Sequence, residues 1–351
     1  MSSSERPAAW VSRWLSILLA SHYLLGGHAR AASGVDSTLD VYAAPQELIR
    51  LPDGRRMNLL CRGTGNPVVI LEAGAGGSTL DWRRVQPGTA KIARTCAYDR
   101  AGMGFSDPGA NPRTAESVLQ DFVALMQAAR IAPPYILVAH SLGSYFVRLY
   151  ADHYPANVAG MVLVDPSVEY QDARFIAAVP SFAEILRKDD EMARACLRQA
   201  EAGTLTATSA LFKDCTYGYS RDPAFSDALY EVQIKRRLSV SFRATLLSET
   251  HEMDGTDSEQ LAAGRRSYRD MPLIILTQAP EQADAYPDLT AAQVSVLNAL
   301  WNHMHDELAA LSSRGENRQV PNSGHYIQRD RPEVVMETIR EVLIAARRRP
   351  Q

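Results

Sequence analysis

Apolar positions along the chain fall into two patterns, short runs rich in β-branched residues and longer stretches of helical period. Pro67 to Leu71 (PVVIL), Thr95 to Tyr98, Tyr135 to Val138, Met161 to Val164 and Pro272 to Leu276 (PLIIL) predict strands, the PVVIL run one buried on both faces. Ahead of them, Glu47–Leu51 and Arg56–Cys61 flank Pro52-Asp53-Gly54, which predicts a hairpin. Helical period marks Ala115–Ala129, with Val118, Phe122, Leu125 and Met126 on one face. Ser141–Tyr154, Leu297–Leu311 and Pro332–Ala346 also read as helices, and Arg318–Val320 as a short strand. Strands alternating with helices imply crossover units and a largely parallel sheet. The alternation stops after Asp165: residues 168–268 are helix-rich and charged, with no buried-strand run. One α/β domain, 45–167 and 269–347, interrupted by a helical insertion at 168–268, is the economical organisation. No internal repeat is seen.

The first residues do not belong to that pattern. A weakly basic start with Arg6 and Arg13 precedes the apolar run Trp14–Gly27, and Ala29-Arg30-Ala31 supplies a small-x-small site. This is the form of a secretory signal peptide spanning 1–31. The run is short for a bilayer span, which needs about 20 residues; an uncleaved N-terminal anchor is the alternative. No other segment is long and apolar enough to cross a membrane. The expectation is an exported protein, periplasmic or secreted.

Composition narrows the class without naming a function. The 351 residues are 46% hydrophobic and 22% charged, which excludes a disordered or low-complexity chain. Removing 1–31 takes away Arg6, Arg13, Arg30 and Glu5 and moves the formal charge from −3 to −5. Nothing here provides the basic face that a nucleic acid would need. Arg347-Arg348-Arg349 ends a predicted helix, where cations suit the dipole.

Export changes the reading of Cys61, Cys96, Cys196 and Cys215, an even set without zinc-site spacing. Three connectivities are open to them. Cys61 and Cys96 lie in predicted strands, and Cys196 and Cys215 lie together in the helical middle. Local structure therefore favours Cys61–Cys96 and Cys196–Cys215.

Candidate chemistry gathers at the strand ends. Val138-Ala139-His140-Ser141-Leu142-Gly143 lies where a strand meets a helix, the setting of a nucleophile elbow, with Ala139 in place of the usual first glycine. The loop after PVVIL, with Gly74, Ala75, Gly76 and Gly77, is where a second oxyanion-hole amide would originate. The hole would then be the N–H groups of Leu142 and Ala75, aimed at charge developing on a carbonyl oxygen. Late in the chain, Pro321-Asn322-Ser323-Gly324-His325 places a loop histidine before the final helix. Imidazole titrates near neutral pH and can serve first as base and then as acid. His303 and His305, two apart on a helix, face different ways and make a poor metal pair. His140 is expected to point inward, and His153 and His251 to lie at the surface.

Taken together, LEAGAGG at 71–77, YDRAGMGFSDPG at 98–109, AHSLGS at 139–144, LVDP at 163–166 and SGHYIQRDRP at 323–332 resemble the α/β-hydrolase superfamily across nearly all of 45–347. The resemblance implies the α/β-hydrolase fold, an eight-stranded mostly parallel sheet with the first strand antiparallel and a cap after the sixth strand. It also makes the second and fourth strands neighbours, which supports pairing Cys61 with Cys96. Members usually carry the triad acid after strand seven, yet Thr277-Gln278-Ala279-Pro280-Glu281-Gln282-Ala283-Asp284 lacks the expected turn. Some members place it after strand six, where Asp165 stands; Asp284 and Glu281 are the alternatives.

These readings converge on a serine esterase-like hydrolase with Ser141 as nucleophile, His325 as base and Asp165 orienting it. Its expected substrate is a medium-sized, partly apolar small molecule, an ester or a related thioester, lactone or amide. No cofactor or metal is implied. A serine at the elbow argues against epoxide and haloalkane hydrolysis, since those relatives carry Asp there. Two rivals stand beside this reading. One is a non-catalytic small-molecule-binding protein on the same fold. The other is an aminopeptidase-type amide hydrolase, for which Glu184, Asp189, Asp190 and Glu191 could gather a substrate amine.

Overall fold

The computed structural model describes residues 34–216 and 218–348, and the expected leader at 1–31 lies outside the described residues. Eight strands form one sheet: β1 (Glu47–Arg50), β2 (Arg56–Arg62), β3 (Val68–Glu72), β4 (Thr95–Tyr98), β5 (Tyr135–His140), β6 (Val158–Val164), β7 (Leu273–Thr277) and β8 (Gly315–Gln319). Their spatial order is β1-β2-β4-β3-β5-β6-β7-β8. Pairing is parallel from β4 to β8, whereas β2 is antiparallel to both β1 and β4. The strand that runs against the sheet is thus the second, which corrects the expectation for the first. The turn after β1 reverses the chain, and β2 then sits between β1 and β4, so β1 regains the common direction.

The longer helices are α1 (Ala115–Ala128), α2 (Gly143–His153), α3 (Gln171–Ala178), α4 (Phe182–Glu201), α5 (Asp227–Arg237), α6 (Val240–Glu252), α7 (Ser258–Gly264), α8 (Ala291–Ala309) and α9 (Pro332–Arg347). Helices α1, α2 and α8 cover one sheet face, and α9 covers the other. Alternate residues of a single strand serve the two cores: Leu137 and Ala139 of β5 face the first, Ile136 and Val138 the second. That double burial is why β3, β5 and β7 read as unbroken apolar runs. The last strand, GENRQ, is a half-exposed polar edge, which discourages pairing with another chain. Helix α8 starts at Ala291 instead of Leu297, because Thr290 and Gln293 cap each other reciprocally, a signal that apolar period alone passes over.

Helices α3 to α7 all lie between β6 and β7, so the insertion contains no strand among the described residues. Cys61 and Cys96 face each other across β2 and β4 and are joined; Cys196 of α4 is joined to Cys215, 19 residues on. The insertion is also fastened to the sheet domain by polar contacts. Asp257 Oδ1 accepts the Ala115 amide at the start of α1 (2.6 Å). Burial pushes the Asp257 carboxyl up to about 7.

Two predictions arise from this packing. Replacing Cys196 and Cys215 together by serine should lower stability by about 3 kcal/mol, the loop-entropy value for a closure of this length. The denaturant midpoint would fall at unchanged slope, and an unmoved midpoint would show that the bond contributes nothing. The second prediction concerns pH. The native state keeps a proton on Asp257 that the unfolded chain loses at ordinary carboxylate pH, so unfolding free energy should fall between about pH 4 and pH 7. Asp257→Asn keeps the acceptor and should flatten that slope in urea titrations; an identical slope would exclude Asp257 as its source.

Candidate active site

The chain leaves β3 toward β4 on one side of the sheet and later passes to β5 and β6 on the other. Such a reversal opens a crevice beyond the carboxyl ends of the strands. Ser141 follows β5 at this point, with a left-handed backbone (φ 51°), and α2 begins two residues later. The conformation costs an L-residue on the order of 1–2 kcal/mol. Local packing holds it: the Ser141 N–H donates to Val164 O (3.1 Å), and its carbonyl accepts from Ser144 N and Ser167 N. Small neighbours are required on both sides. A Cβ at Gly74 would fall 3.1 Å from Ser141 Cβ, and one at Gly143 would fall 2.6 Å from Ala73 O.

His325 reaches the crevice on the loop after β8. Its Nδ1 lies 2.6 Å from Asp165 Oδ2, and both side chains are buried. The other Asp165 oxygen accepts from the Gln278 amide and from Trp301 Nε1, each at 3.0 Å. With three donors around it, this carboxylate suits the Nδ1–H tautomer and leaves Nε2 free to accept a proton. Trp301 packs on His305 (ring centroids 4.5 Å apart), and His305 is itself buried against Thr277 and the Pro166 carbonyl. From behind, His140 Nε2 donates to the His325 carbonyl (2.9 Å). Burial pushes the His140 imidazole well below its ordinary range, so it stays neutral.

The structure thus brings Asp165, not Asp284 or Glu281, onto His325. Asp284 is exposed on a short helical turn. Glu281 is bound by Gln278 Nε2 (3.0 Å), and burial pushes its carboxyl up to about 7, with Asp165 adding to the effect. His303 is exposed and His305 buried, as their spacing implies.

The amides of Leu142 and Ala75 donate to no acceptor among the described residues. The loop that carries Ala75 is clamped by Arg100, whose Nη1 donates to Ala73 O (2.6 Å) and Nη2 to Gly74 O (2.8 Å). Arg100 is buried between Glu72 (2.6 Å) and Glu249 of α6 (2.8 Å). Burial pushes Glu72 up to about 7, and Tyr98 hydrogen-bonds it. Trp301, Arg100 and Glu249 were not singled out from the sequence. Arg100 stands in the quoted YDRAGMG segment, but nothing local in the chain signals what it grips.

Comparison with known proteins agrees with this architecture. A family profile described as alpha/beta hydrolase fold matches residues 66–233. An uncharacterized Bacillus subtilis protein, YqjL, is 25% identical over 285 residues, covering 81% of this chain and 87% of that one. A 2-hydroxymuconate semialdehyde hydrolase from a Pseudomonas species is 32% identical over 38% of this chain and 50% of its own. A haloalkane dehalogenase of Sphingobium indicum is 30% identical over 42% and 48%. Among solved structures, DBJA superposes with a TM-score of 0.65 at 18% identity, covering 86% of this chain and 98% of that one, a likeness of fold alone. With its sheet order and inserted helices, the chain has the α/β-hydrolase fold, and the profile match over residues 66–233 supports that superfamily.

Proposed function

We propose that this protein is an exported serine hydrolase that cleaves a carboxylic ester, or a related thioester, lactone or amide, through an acyl-enzyme. The reading rests on a strained Ser141 after β5, on His325 held by Asp165 at the end of the neighbouring strand, and on two amides with no acceptor among the described residues. In this mechanism Ser141 Oγ attacks the carbonyl carbon while His325 Nε2 takes its proton. The Leu142 and Ala75 N–H groups take the oxyanion. Collapse breaks the ester bond, and His325 returns the proton to the departing oxygen. Water, activated by the same imidazole, then releases the acid and restores Ser141.

Asp165 keeps Nδ1 protonated and stabilises the imidazolium between the two transfers, as its three hydrogen bonds suit. Ser141 at the elbow favours the acyl-enzyme route over the Asp-dependent route implied for haloalkane and epoxide substrates. The acidic residues of α4 give little support to an amine-binding site. Glu184 and Glu191 pair with Arg187, and Asp190 pairs with Arg194, on an exposed face. Export is supported by the two disulfides and the leader-like segment.

A fluorophosphonate should add once to the mature protein, at Ser141, and peptide mass spectrometry should find no adduct on Ser141→Ala. A folded wild-type protein that takes no label and turns over no short p-nitrophenyl ester would overturn the proposal in favour of a binding protein. Asp165→Asn should lower kcat/KM by about 10⁴-fold, the loss typical of a triad acid. Glu281→Gln and Asp284→Asn should each change it by only a few-fold. The opposite ranking would move the acid role away from Asp165.

A further inference from the structure

A cavity of about 320 Å³ lies between the sheet domain and the inserted helices, bounded below by Gly76 and Asp81 and above by Tyr219, Gln233 and Phe242. Five arginines line it: Arg83, Arg84, Arg236, Arg237 and Arg329. Three aspartates stand against them. Asp222 pairs with Arg83 (2.9 Å) and Asp81 with Arg329, while Asp330 accepts the Gly324 amide. Among the described residues Arg236 and Arg237, from the end of α5, form no ion pair with a carboxylate; they lie over the rings of Phe105 and Tyr219. Asp99, the acid whose field Arg236 feels, already accepts from Thr79 N, Phe105 N and Asn58 Nδ2.

Several donors around the cavity also lack acceptors. Arg236 Nη2, Arg237 Nε, Arg329 Nε, Gln233 Nε2 and the Tyr219 hydroxyl are buried without a hydrogen-bond partner among the described residues. Gln233 is only 6% exposed. Together with the excess of guanidinium over carboxylate groups in the lining, these donors suit a ligand group with several oxygens and negative charge. Like-charge crowding is visible as well. Burial, with Arg329 and Arg84 nearby, lowers the Arg83 guanidinium against the opposing pull of Asp222.

The position ties this cavity to the crevice. Gly76 directly follows Ala75, and the site of a Gly74 Cβ is 3.1 Å from Ser141 Cβ. Two residues of chain reach at most about 7 Å, so the cavity wall begins within about 12 Å of Ser141. On the other side Arg329 lies over the ring of Tyr326, the residue after His325, at 3.9 Å. We propose that this cavity is the subsite for an anionic oxygen group, a carboxylate or phosphate, carried by the substrate at a distance from the scissile carbonyl. The assignment of the substrate end rests on the hydrolase reading; the anion site itself does not.

The test separates the two. Inorganic phosphate and glutarate, titrated calorimetrically into the Ser141→Ala protein, should bind at one site, more weakly as salt rises. Arg236→Gln with Arg237→Gln should weaken binding at least tenfold. Tyr219→Phe, which removes one hydroxyl, should weaken it several-fold and stands in if the double variant fails to fold. With the wild-type protein, the p-nitrophenyl half-ester of glutarate should exceed its methyl-capped counterpart in kcat/KM by tenfold or more, mainly through KM. Anion binding without turnover of any ester would keep the site and remove its link to hydrolysis. Turnover of both esters alike, with no anion bound, would overturn the subsite and leave the hydrolase standing.

Discussion

Arg100 is the point on which the arrangement of this molecule turns. A guanidinium with no access to water is tolerated only because Glu72 and Glu249 flank it and two backbone carbonyls complete its donors. Removing one partner from such a cluster leaves a buried charge uncompensated, at a cost of about 3–5 kcal/mol. The three carboxylate and guanidinium groups come from the end of β3, the exit of β4 and the inserted helix α6. The same two Nη atoms fix the peptides of Ala73 and Gly74, and hence where the Ala75 amide points. Seating of the insertion and shape of the proposed oxyanion loop therefore depend on one ion cluster.

Around that fixed loop, strain is concentrated at strand ends. Ser141 ends β5 and Asp165 ends β6, and both have positive φ. Each N–H is nevertheless satisfied by the neighbouring strand, Ser141 by Val164 O and Asp165 by Leu276 O. Adjacent parallel strands thus absorb two unfavourable turns and lift both side chains to one edge. The neutral His140 behind His325, and Trp301 beside Asp165, then fix orientations that the turns alone would leave loose.

Charge is distributed unevenly over this scaffold. Near Asp165 lies Glu281, whose carboxyl burial pushes up to about 7. Beyond the proposed oxyanion loop, five arginines outnumber three aspartates around one cavity. A formal charge of −3 for the whole chain conceals this local reversal. Fields act locally in a low-dielectric cleft, so net charge predicts solubility better than it predicts what a cleft will hold.

The strands were legible because burial on both faces writes itself as unbroken runs such as VVIL and LIIL, and the elbow because strand, small residue, serine and small residue follow one another. His325 was legible from its glycine-led loop before a helix. The helical insertion showed as lost alternation after Asp165. What the chain order could not disclose were contacts between distant segments. The resemblance favoured Asp165 over Asp284 and Glu281, but Trp301 on Asp165 across 136 residues and Glu249 on Arg100 across 149 exist only once the sheet is assembled. The direction of β2 also needed the assembled sheet, because a hairpin fixes two strands relative to each other and not relative to the rest. Local sequence determines which residues can form an elbow, a strand or a cap, since those depend on neighbours in the chain. Which carboxylate meets which cation is decided by packing, because burial sets the cost of a charge and only the folded interior says what lies beside it.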